Sequence, residues 1–392
     1  MSQKTALLIK TSLCIFFAIL LLTNCTGKTT TAPSAKSEPA TETTQPVIEE
    51  ENVKVTAEEF APLIIGGRQY RGQLGERVEV EKGSWRIPSD PVDCTVKDID
   101  KLFIMTLWVD PKDPNRRSSI ENLELLHNLK ELHIRGENFD RVDFSPISSL
   151  LNLEEIEIEG NITHLPDLTS LKQLKKIRIK KAALESIEGI RAPHVKKIEI
   201  ETINGSIDSI SPLNNLLMLE DLYITCLSDK IMKLSGMTNL PKLKSFEFQG
   251  YEIDMRGIDH LASLEYLTIC DCKPFNLEGI GRLNNLKTLI IDLISDNPSI
   301  DFLRNMPNIT ILQISGHYQR YSWDEIEAFQ VLDVSPLGTI KTLESLYFIN
   351  LIIKNVSALD AIDRLDPLRF VKSRLYDENE KTRHWIMYEI IH

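Results

Sequence analysis

Few residues of this chain have the types and spacing that covalent or phosphate chemistry needs. Residues 66–75 form a glycine-rich run, but it lacks the Gly-Lys-Ser/Thr ending with which a phosphate-binding loop holds a nucleotide. No zinc-protease, serine-hydrolase or protein-kinase motif occurs, and His133 and His317 have no nucleophile beside them in the sequence. We therefore predict a protein that is not an enzyme and that uses no cofactor.

Cys25 is the residue with the clearest covalent chemistry. It follows a start with two lysines and an apolar stretch over residues 13–22, which is too short to span a membrane as a helix. The segment resembles a bacterial lipoprotein signal, although Asn24 stands where Gly, Ala or Ser is usual. The resemblance implies that residues 1–24 are removed and that Cys25 receives acyl chains such as palmitate. The alternative is an ordinary secretory signal with an incidental cysteine, or a short uncleaved anchor.

Residues 25–55 have the composition of a disordered tether. They are rich in Thr, Ser, Ala, Pro and Glu and hold almost no large apolar residue, so they cannot build a core. Such a segment spans roughly 30 Å as a flexible coil and roughly 90 Å when extended. We expect it to hold the folded part clear of a membrane surface.

Charged residues in three consecutive segments could form a binding surface or a ladder of ion pairs. Each segment places a charge at every second position, so that the charges share one face of a strand. The residues are Glu155, Glu157 and Glu159, then Lys176, Arg178 and Lys180, then Lys197, Glu199 and Glu201. The alternative is that these charges only keep the face soluble, because exposed ion pairs contribute about 0–1 kcal/mol each.

The later segments carry aromatic and aliphatic residues at the same outward positions. They are Tyr223, Thr225, Tyr266, Thr268, Ile290, Ile311, Tyr347 and Ile349. Outward aromatic residues favour a contact surface for a protein partner. Plain β-propensity is the alternative explanation.

Residues 316–330 form an insertion that could also contact a partner. It carries Tyr318, Tyr321 and Trp323, and such side chains are common interface anchors. The same residues also fit a short helix that packs on the protein, because Ser322 and Glu325 make a capping box. The sequence leaves both interpretations open.

The elements that must position these residues are repeats. Ten segments share the phrase apolar-x-x-apolar-x-apolar, and their starts lie between 21 and 24 residues apart except for a last spacing of 34. They cover residues 129–134, 153–158, 174–179, 195–200, 219–224, 243–248, 264–269, 286–291, 309–314 and 343–348. This is the leucine-rich-repeat signature. It predicts an α/β solenoid, a leucine-rich-repeat horseshoe with a parallel β-sheet on the concave face and short helical or 3₁₀ turns on the outside.

The solenoid is expected to cover residues 101–372, with a cap at each end. Caps are needed because a terminal repeat exposes core that no neighbour covers. Residues 56–100 fit no repeat and are the predicted N-terminal cap, with a small hairpin near Val78. Residues 373–392 are a C-terminal cap or, alternatively, a frayed tail.

Cysteine positions and charge exclude some partners. Cys226 and Cys270 lie two repeats apart, roughly 10 Å, which is too far for a disulfide. Cys270 and Cys272 have no histidine nearby, so we predict buried thiols and no metal. The formal charge of −12 argues against a nucleic-acid partner, which would need a basic surface.

Three repeats carry a Ser-Pro turn that resembles internalin-type bacterial repeats. The phrases are Ile210-Ser211-Pro212-Leu213, Val334-Ser335-Pro336-Leu337 and the looser Phe144-Ser145-Pro146-Ile147. The usual turn asparagine is present at Asn161 and almost nowhere else. The resemblance implies binding of a protein or glycan partner through the concave face, for example in adhesion or host interaction.

These observations lead to one prediction about function and one alternative. We expect a monomeric bacterial protein that is lipid-anchored in the cell envelope, at the outer membrane or cell surface, and that binds its partner through the repeats. The alternative is a periplasmic scaffold that holds envelope proteins together.

Overall fold

Each repeat phrase folds into one strand of a parallel sheet. The computed structural model describes residues 61–75, 77–81, 84–87, 89–238, 240–294, 298–304, 306–316, 330–362, 365, 368–375 and 384–391. Within these ranges the strands stack side by side in chain order, and the predicted leucine-rich-repeat solenoid is confirmed.

The strands fall into three groups along the chain. Six short strands precede the repeats: β1 (Ile64–Ile65), β2 (Arg68–Gln69), β3 (Arg71–Gly72), β4 (Val78–Glu81), β5 (Ser84–Arg86) and β6 (Val92–Asp93). The repeats supply β7 (Ile104–Val109), β8 (Glu131–Gly136), β9 (Glu155–Glu159), β10 (Lys176–Ala182), β11 (Lys197–Thr202), β12 (Asp221–Lys233), β13 (Ser245–Asp254), β14 (Tyr266–Cys270), β15 (Lys273–Phe275), β16 (Thr288–Asp292), β17 (Ile311–Ser315), β18 (Gln330–Asp333), β19 (Ser345–Ile349), β20 (Leu351–Lys354) and β21 (Leu368–Leu375). The last strand is β22 (His384–Ile391).

The strands of the main sheet are in lateral register. The order is β7-β8-β9-β10-β11-β12-β13-β14-β16-β17-β19-β21, and each of these neighbouring pairs is parallel. Ile156 pairs with Ile177, and Ile177 pairs with Ile198, so equivalent positions of successive repeats lie side by side. The register lines up one buried and one outward row of side chains on every strand.

Apolar side chains from the strands and turns form one continuous core. Within the described ranges the helical segments are 3₁₀ turns: Val96–Lys101, Leu123–Leu125, Phe139–Arg141, Ser145–Ser149, Ser211–Leu213, Ile258–His260, Leu277–Arg282, Asp301–Leu303, Ser335–Thr339 and Val356–Ala361. Ile207, Ile210, Leu213 and Leu216, in and around the turn Ser211–Leu213, are all buried. None of the helical segments among the described residues is long and apolar enough to span a membrane.

Two groups of repeats add a second row of parallel strands that the sequence pattern did not predict. In one group, Met232 of β12 pairs with Ile253 of β13, which pairs with Pro274 of β15. In the other, β18 pairs with β20, and β20 pairs with the end of β21. Met232 and Ile253 are apolar and buried, so the backbone around them lies against the core and pairs as a second strand.

The N-terminal segment is tied to the first repeat by side-chain hydrogen bonds. It contains the predicted hairpin, formed by β4 and β5. The Arg117 guanidinium donates to the carbonyl oxygens of Ile65 (2.9 Å), Arg68 (3.1 Å) and Gln69 (3.3 Å). At the other end, β22 pairs antiparallel with β21. Both ends of the main sheet therefore adjoin non-repeat chain.

Asparagine side chains link consecutive repeats at a position that the sequence analysis did not consider. Four of them stand immediately before the first apolar residue of a phrase, and each donates to a backbone carbonyl of the preceding segment. The bonds are Asn128 to Asp100 (3.3 Å), Asn152 to His127 (2.8 Å), Asn285 to Ala262 (2.9 Å) and Asn308 to Asn284 (2.7 Å). Asn161 itself accepts a hydrogen bond from the Phe139 amide at 3.2 Å. Asparagine thus has a wider structural role here than the turn at Asn161.

Candidate functional site

The side of the main sheet that faces away from the core is called the open face here, and it is the concave face of the sequence analysis. Three outward positions per strand form three rows across it. The central row consists of Thr106, His133, Glu157, Arg178, Glu199, Tyr223, Glu247, Thr268, Ile290, Gln313, Tyr347 and Arg369. Neighbouring members lie about 4.8 Å apart because they occupy paired positions on adjacent strands.

Glu157 is the centre of the charged part of the open face. Its side chain is 3 % exposed, and its carboxylate lies 2.8 Å from Arg178, 3.3 Å from Arg135 and 3.4 Å from Lys180. Burial opposes the ionisation of Glu157. The hydrogen bond from Arg178 and the positive charges of Lys180, His133 and Arg178 outweigh burial and lower the pKa of Glu157 to about 2. This carboxylate is held ionised by its neighbours.

Arg178 joins three strands by ion pairs. Its guanidinium lies 3.1 Å from Glu155, 2.8 Å from Glu157 and 2.9 Å from Glu199. Burial disfavours the charge on Arg178, but these carboxylates raise its pKa overall. Further pairs complete the network: Lys176 with Glu155 (3.4 Å), Lys197 with Glu199 (2.9 Å) and Arg135 with Glu159 (3.5 Å). The charges at the outward positions of β8 to β10 therefore largely satisfy one another.

Three carboxylates in the middle of the open face have no such partner. Glu201, Asp221 and Glu247 form no ion pair with any residue that the structure describes. Burial is the first cause of a raised pKa at each of them, and the nearby cation Lys197 lowers it less at Asp221 and Glu247. Lys197 is itself engaged, because its ammonium pairs with Glu199 and lies 4.7 Å from the centre of the Tyr223 ring.

From Thr268 to Tyr347 the central row is uncharged. Ile290, Gln313 and Tyr347 are 8 %, 7 % and 6 % exposed, although all three are on the open face. The Oε1 atom of Gln313 has no hydrogen-bond partner among the described residues. At the end of the row, the Arg369 guanidinium lies 5.6 Å from the centre of the Tyr347 ring. A buried acceptor without a donor costs about 1–3 kcal/mol, so Gln313 is a place where a ligand could add a bond.

The structure places most of the predicted binding residues together on this face. Glu155, Glu159, Lys176, Arg178 and Lys180 are half-buried in the ion-pair network, and Glu157 is buried at its centre. Tyr223, Thr268 and Ile311 are half-buried, and Tyr266 is 38 % exposed. Cys25, Tyr318, Tyr321 and Trp323 lie outside the described residues.

Sequence reasoning missed Asp221, Glu247 and Gln313. Their positions were available from the repeat phrase, because each lies at an outward position of a recognised segment. Aromatic residues are the stronger sign of an interface in a sequence, and a single phrase does not show which cations reach a given carboxylate.

Other chemistry has little support in the described part of the chain. Cys94, Cys226, Cys270 and Cys272 are buried thiols, and burial raises the pKa of Cys272 well above its usual range. A buried thiol of high pKa is a poor nucleophile. No group of three or more His, Cys, Asp or Glu side chains in the described ranges could hold a metal ion.

Comparison with known proteins identifies the fold of this chain. No family model and no curated protein matches the sequence. Among solved structures, an internalin from Listeria monocytogenes is similar at 19 % identity and a TM-score of 0.49, over 74 % of this chain and 86 % of that chain. A leucine-rich-repeat protein of Leptospira interrogans is similar at 17 % identity and a TM-score of 0.48, over 66 % and 70 %. A chain of the mouse RP105/MD-1 complex is similar at 15 % identity and a TM-score of 0.51, over 71 % of this chain and 49 % of that chain. At such identities the likeness shows the leucine-rich-repeat fold alone.

Proposed function

We propose that this leucine-rich-repeat chain is a non-enzymatic binding protein of the bacterial cell envelope, and that its open face binds a protein partner. Adhesion or host interaction is the proposed form of that binding. One observation carries the proposal: the open face joins a region of paired charges around Glu157 to a region with aromatic residues and the unpartnered Oε1 acceptor of Gln313.

The arrangement suits protein recognition better than small-molecule chemistry. A protein interface combines a partly apolar centre with polar groups that gain partners on binding. Ile290 and Tyr347 supply the apolar part, and Tyr266 supplies an exposed aromatic ring. The RP105/MD-1 structure, whose fold is similar, is by its name a complex of two proteins.

The membrane attachment is proposed from the sequence alone. Cys25 would carry the lipid and residues 25–55 would act as a tether. Cys25→Ala should release the protein from the membrane fraction or leave an unprocessed precursor. Protease treatment of intact cells then separates a surface protein, which is cut, from a periplasmic scaffold, which is not. A Cys25→Ala variant that fractionates and migrates like the parent would contradict lipid attachment.

Binding by the open face is testable with a photo-crosslinking residue in the full chain. We would place it at Thr268 in the central row and, as a control, at Leu151, which is 58 % exposed outside the sheet. A discrete crosslinked protein band is expected at position 268 and not at position 151. Equal crosslinking at both positions, or none at 268, would show that the open face is not the binding surface.

A further inference from the structure

The charge balance changes along the open face. The outward positions of β9 carry three acids, and those of β10 carry three bases, so the two strands cancel. Within the three rows, the outward positions of β12, β13, β14, β16 and β17 carry Asp221, Glu247 and Asp292 and no lysine or arginine, whereas Lys230 and Lys233 lie on the second part of β12. Asp221 and Glu247 form no ion pair within the described residues, and the nearby cation Lys197 is already paired with Glu199.

The same part of the face is rich in hydrogen-bond acceptors. The Glu247 and Asp221 carboxylates have no ion-pair partner within the described residues, and Gln313 adds a buried Oε1 atom without a donor. Gln313 is 7 % exposed, and its side chain belongs to the central row of the open face. The Gln313 amide lies on another strand than the two acids. It is therefore an independent indication that a ligand of this surface carries hydrogen-bond donors.

The spacing fits an extended polypeptide segment. Glu247 and Gln313 are three strands apart, which is about 14 Å at 4.8 Å per strand. An extended chain covers this distance with about four residues. Between them lie Thr268 and Ile290, which are uncharged, and Tyr223 flanks Glu247 in the register.

We propose that these residues, named the acceptor strip (Asp221, Tyr223, Glu247, Thr268, Ile290 and Gln313), bind an extended segment of the partner protein that carries lysine or arginine. The segment lies across the strands, with a cationic side chain at Glu247 and Asp221 and a hydrogen-bond donor at Gln313. Tyr223 adds an aromatic face beside the cation. This proposal rests on the proposed function, since it names the chemistry of the partner at the same open face.

The test uses the full chain and two labelled peptides of equal length, one alternating lysine with serine and one alternating glutamate with serine. Fluorescence anisotropy should show binding of the lysine peptide only, and the affinity should fall as salt is added. Glu247→Gln should weaken binding about tenfold, because it removes a charge-assisted hydrogen bond. Glu278→Gln is the matched control, since Glu278 is an exposed acid on a 3₁₀ turn and its loss changes the net charge equally.

Gln313→Leu separates recognition from folding. It removes the unpartnered acceptor, so it should weaken the lysine peptide about fivefold while leaving the melting temperature equal or higher. If Gln313→Leu leaves peptide affinity unchanged, the amide has no part in binding and the proposed acceptor strip is overturned. Equal weakening by Glu278→Gln would show non-specific attraction to an acidic chain. Competition by spermidine as strong as that of the peptide would assign the strip to small cations.

The crosslinking experiment distinguishes the two proposals. An excess of the lysine peptide should suppress the crosslink at position 268. If the lysine peptide does not bind and the crosslink at position 268 persists, the open face still binds a partner. The proposal that this partner is cationic would then be wrong.

Discussion

Glu157 and Glu247 occupy the same row of the same sheet, four strands apart, and their pKa values are shifted in opposite directions. Burial disfavours the charge of both. At Glu157 the cations of β8 and β10 reverse that effect and lower the pKa to about 2, whereas at Glu247 no cation pairs directly and the pKa is raised. The difference lies in the neighbours and not in the residue.

The comparison separates two uses of charge on one surface. The paired region consists of the outward charges of β8 to β10 around Glu157 and Arg178, where the carboxylates are already bonded within the protein, so a partner would have to displace internal bonds. In the acceptor strip, the carboxylates keep their capacity for a new bond. We expect changes in the paired region to alter the stability of the solenoid, and changes in the acceptor strip to alter binding.

The largest effect is expected from Arg178. Arg178→Met leaves Glu155, Glu157 and Glu199 without their shared cation, and should lower the free energy of unfolding by about 3 kcal/mol, as for a half-buried network. Urea denaturation measures the change. A loss below about 1 kcal/mol would mean that the network only keeps the face soluble, the alternative that the sequence left open.

The next effect is a pH dependence carried by Glu157. Its folded pKa is lowered from 4.5 to about 2, so its stabilisation is present above about pH 4.5 and is lost as the pH falls towards about 2. The size is about 3 kcal/mol from the shift in pKa. Thermal unfolding of wild type and Glu157→Gln across this window should converge at low pH. Parallel curves would show that Glu157 is not held ionised.

The asparagines that link consecutive repeats should contribute equally to stability in the two regions. Asn152→Ala near the paired region and Asn285→Ala near the acceptor strip each remove one bond to the preceding repeat, at a cost of about 1 kcal/mol. Urea midpoints of the two variants should fall equally. A large difference between them would show that the two regions differ throughout the repeat and not only on the open face.

The smallest effect is expected from Glu247, with the opposite sign to Glu157. Because its folded pKa is raised, ionisation destabilises the folded state, and wild type gains stability relative to Glu247→Gln as the pH falls. At neutral pH, Glu247→Gln should raise stability by about 0.5 kcal/mol. Melting temperatures of this variant and of Glu278→Gln provide the measurement. Destabilisation at neutral pH would mean that Glu247 has a structural partner.

The sequence predicted the main sheet and the charged outward residues of three consecutive strands because both depend on local periodicity. Each outward residue follows from the alternation within a phrase, and equivalent positions of successive phrases pair although the repeat lengths vary. It did not predict the pairing of Met232 with Ile253, the isolation of Glu247, or the open acceptor of Gln313. Those features depend on which side chains meet across repeats, and a single phrase does not encode such contacts.

Arg117 has a consequence for the order in which the chain can assemble. The carbonyl groups of Ile65, Arg68 and Gln69 receive their donors from Arg117, and Ile64 receives one from Asn122 at 3.0 Å. A chain that emerges from the amino end exposes these carbonyls about fifty residues before their donors appear. The first segment therefore completes these hydrogen bonds only when the first repeat is present. Once joined, the pair covers the end of the solenoid core that no earlier repeat covers.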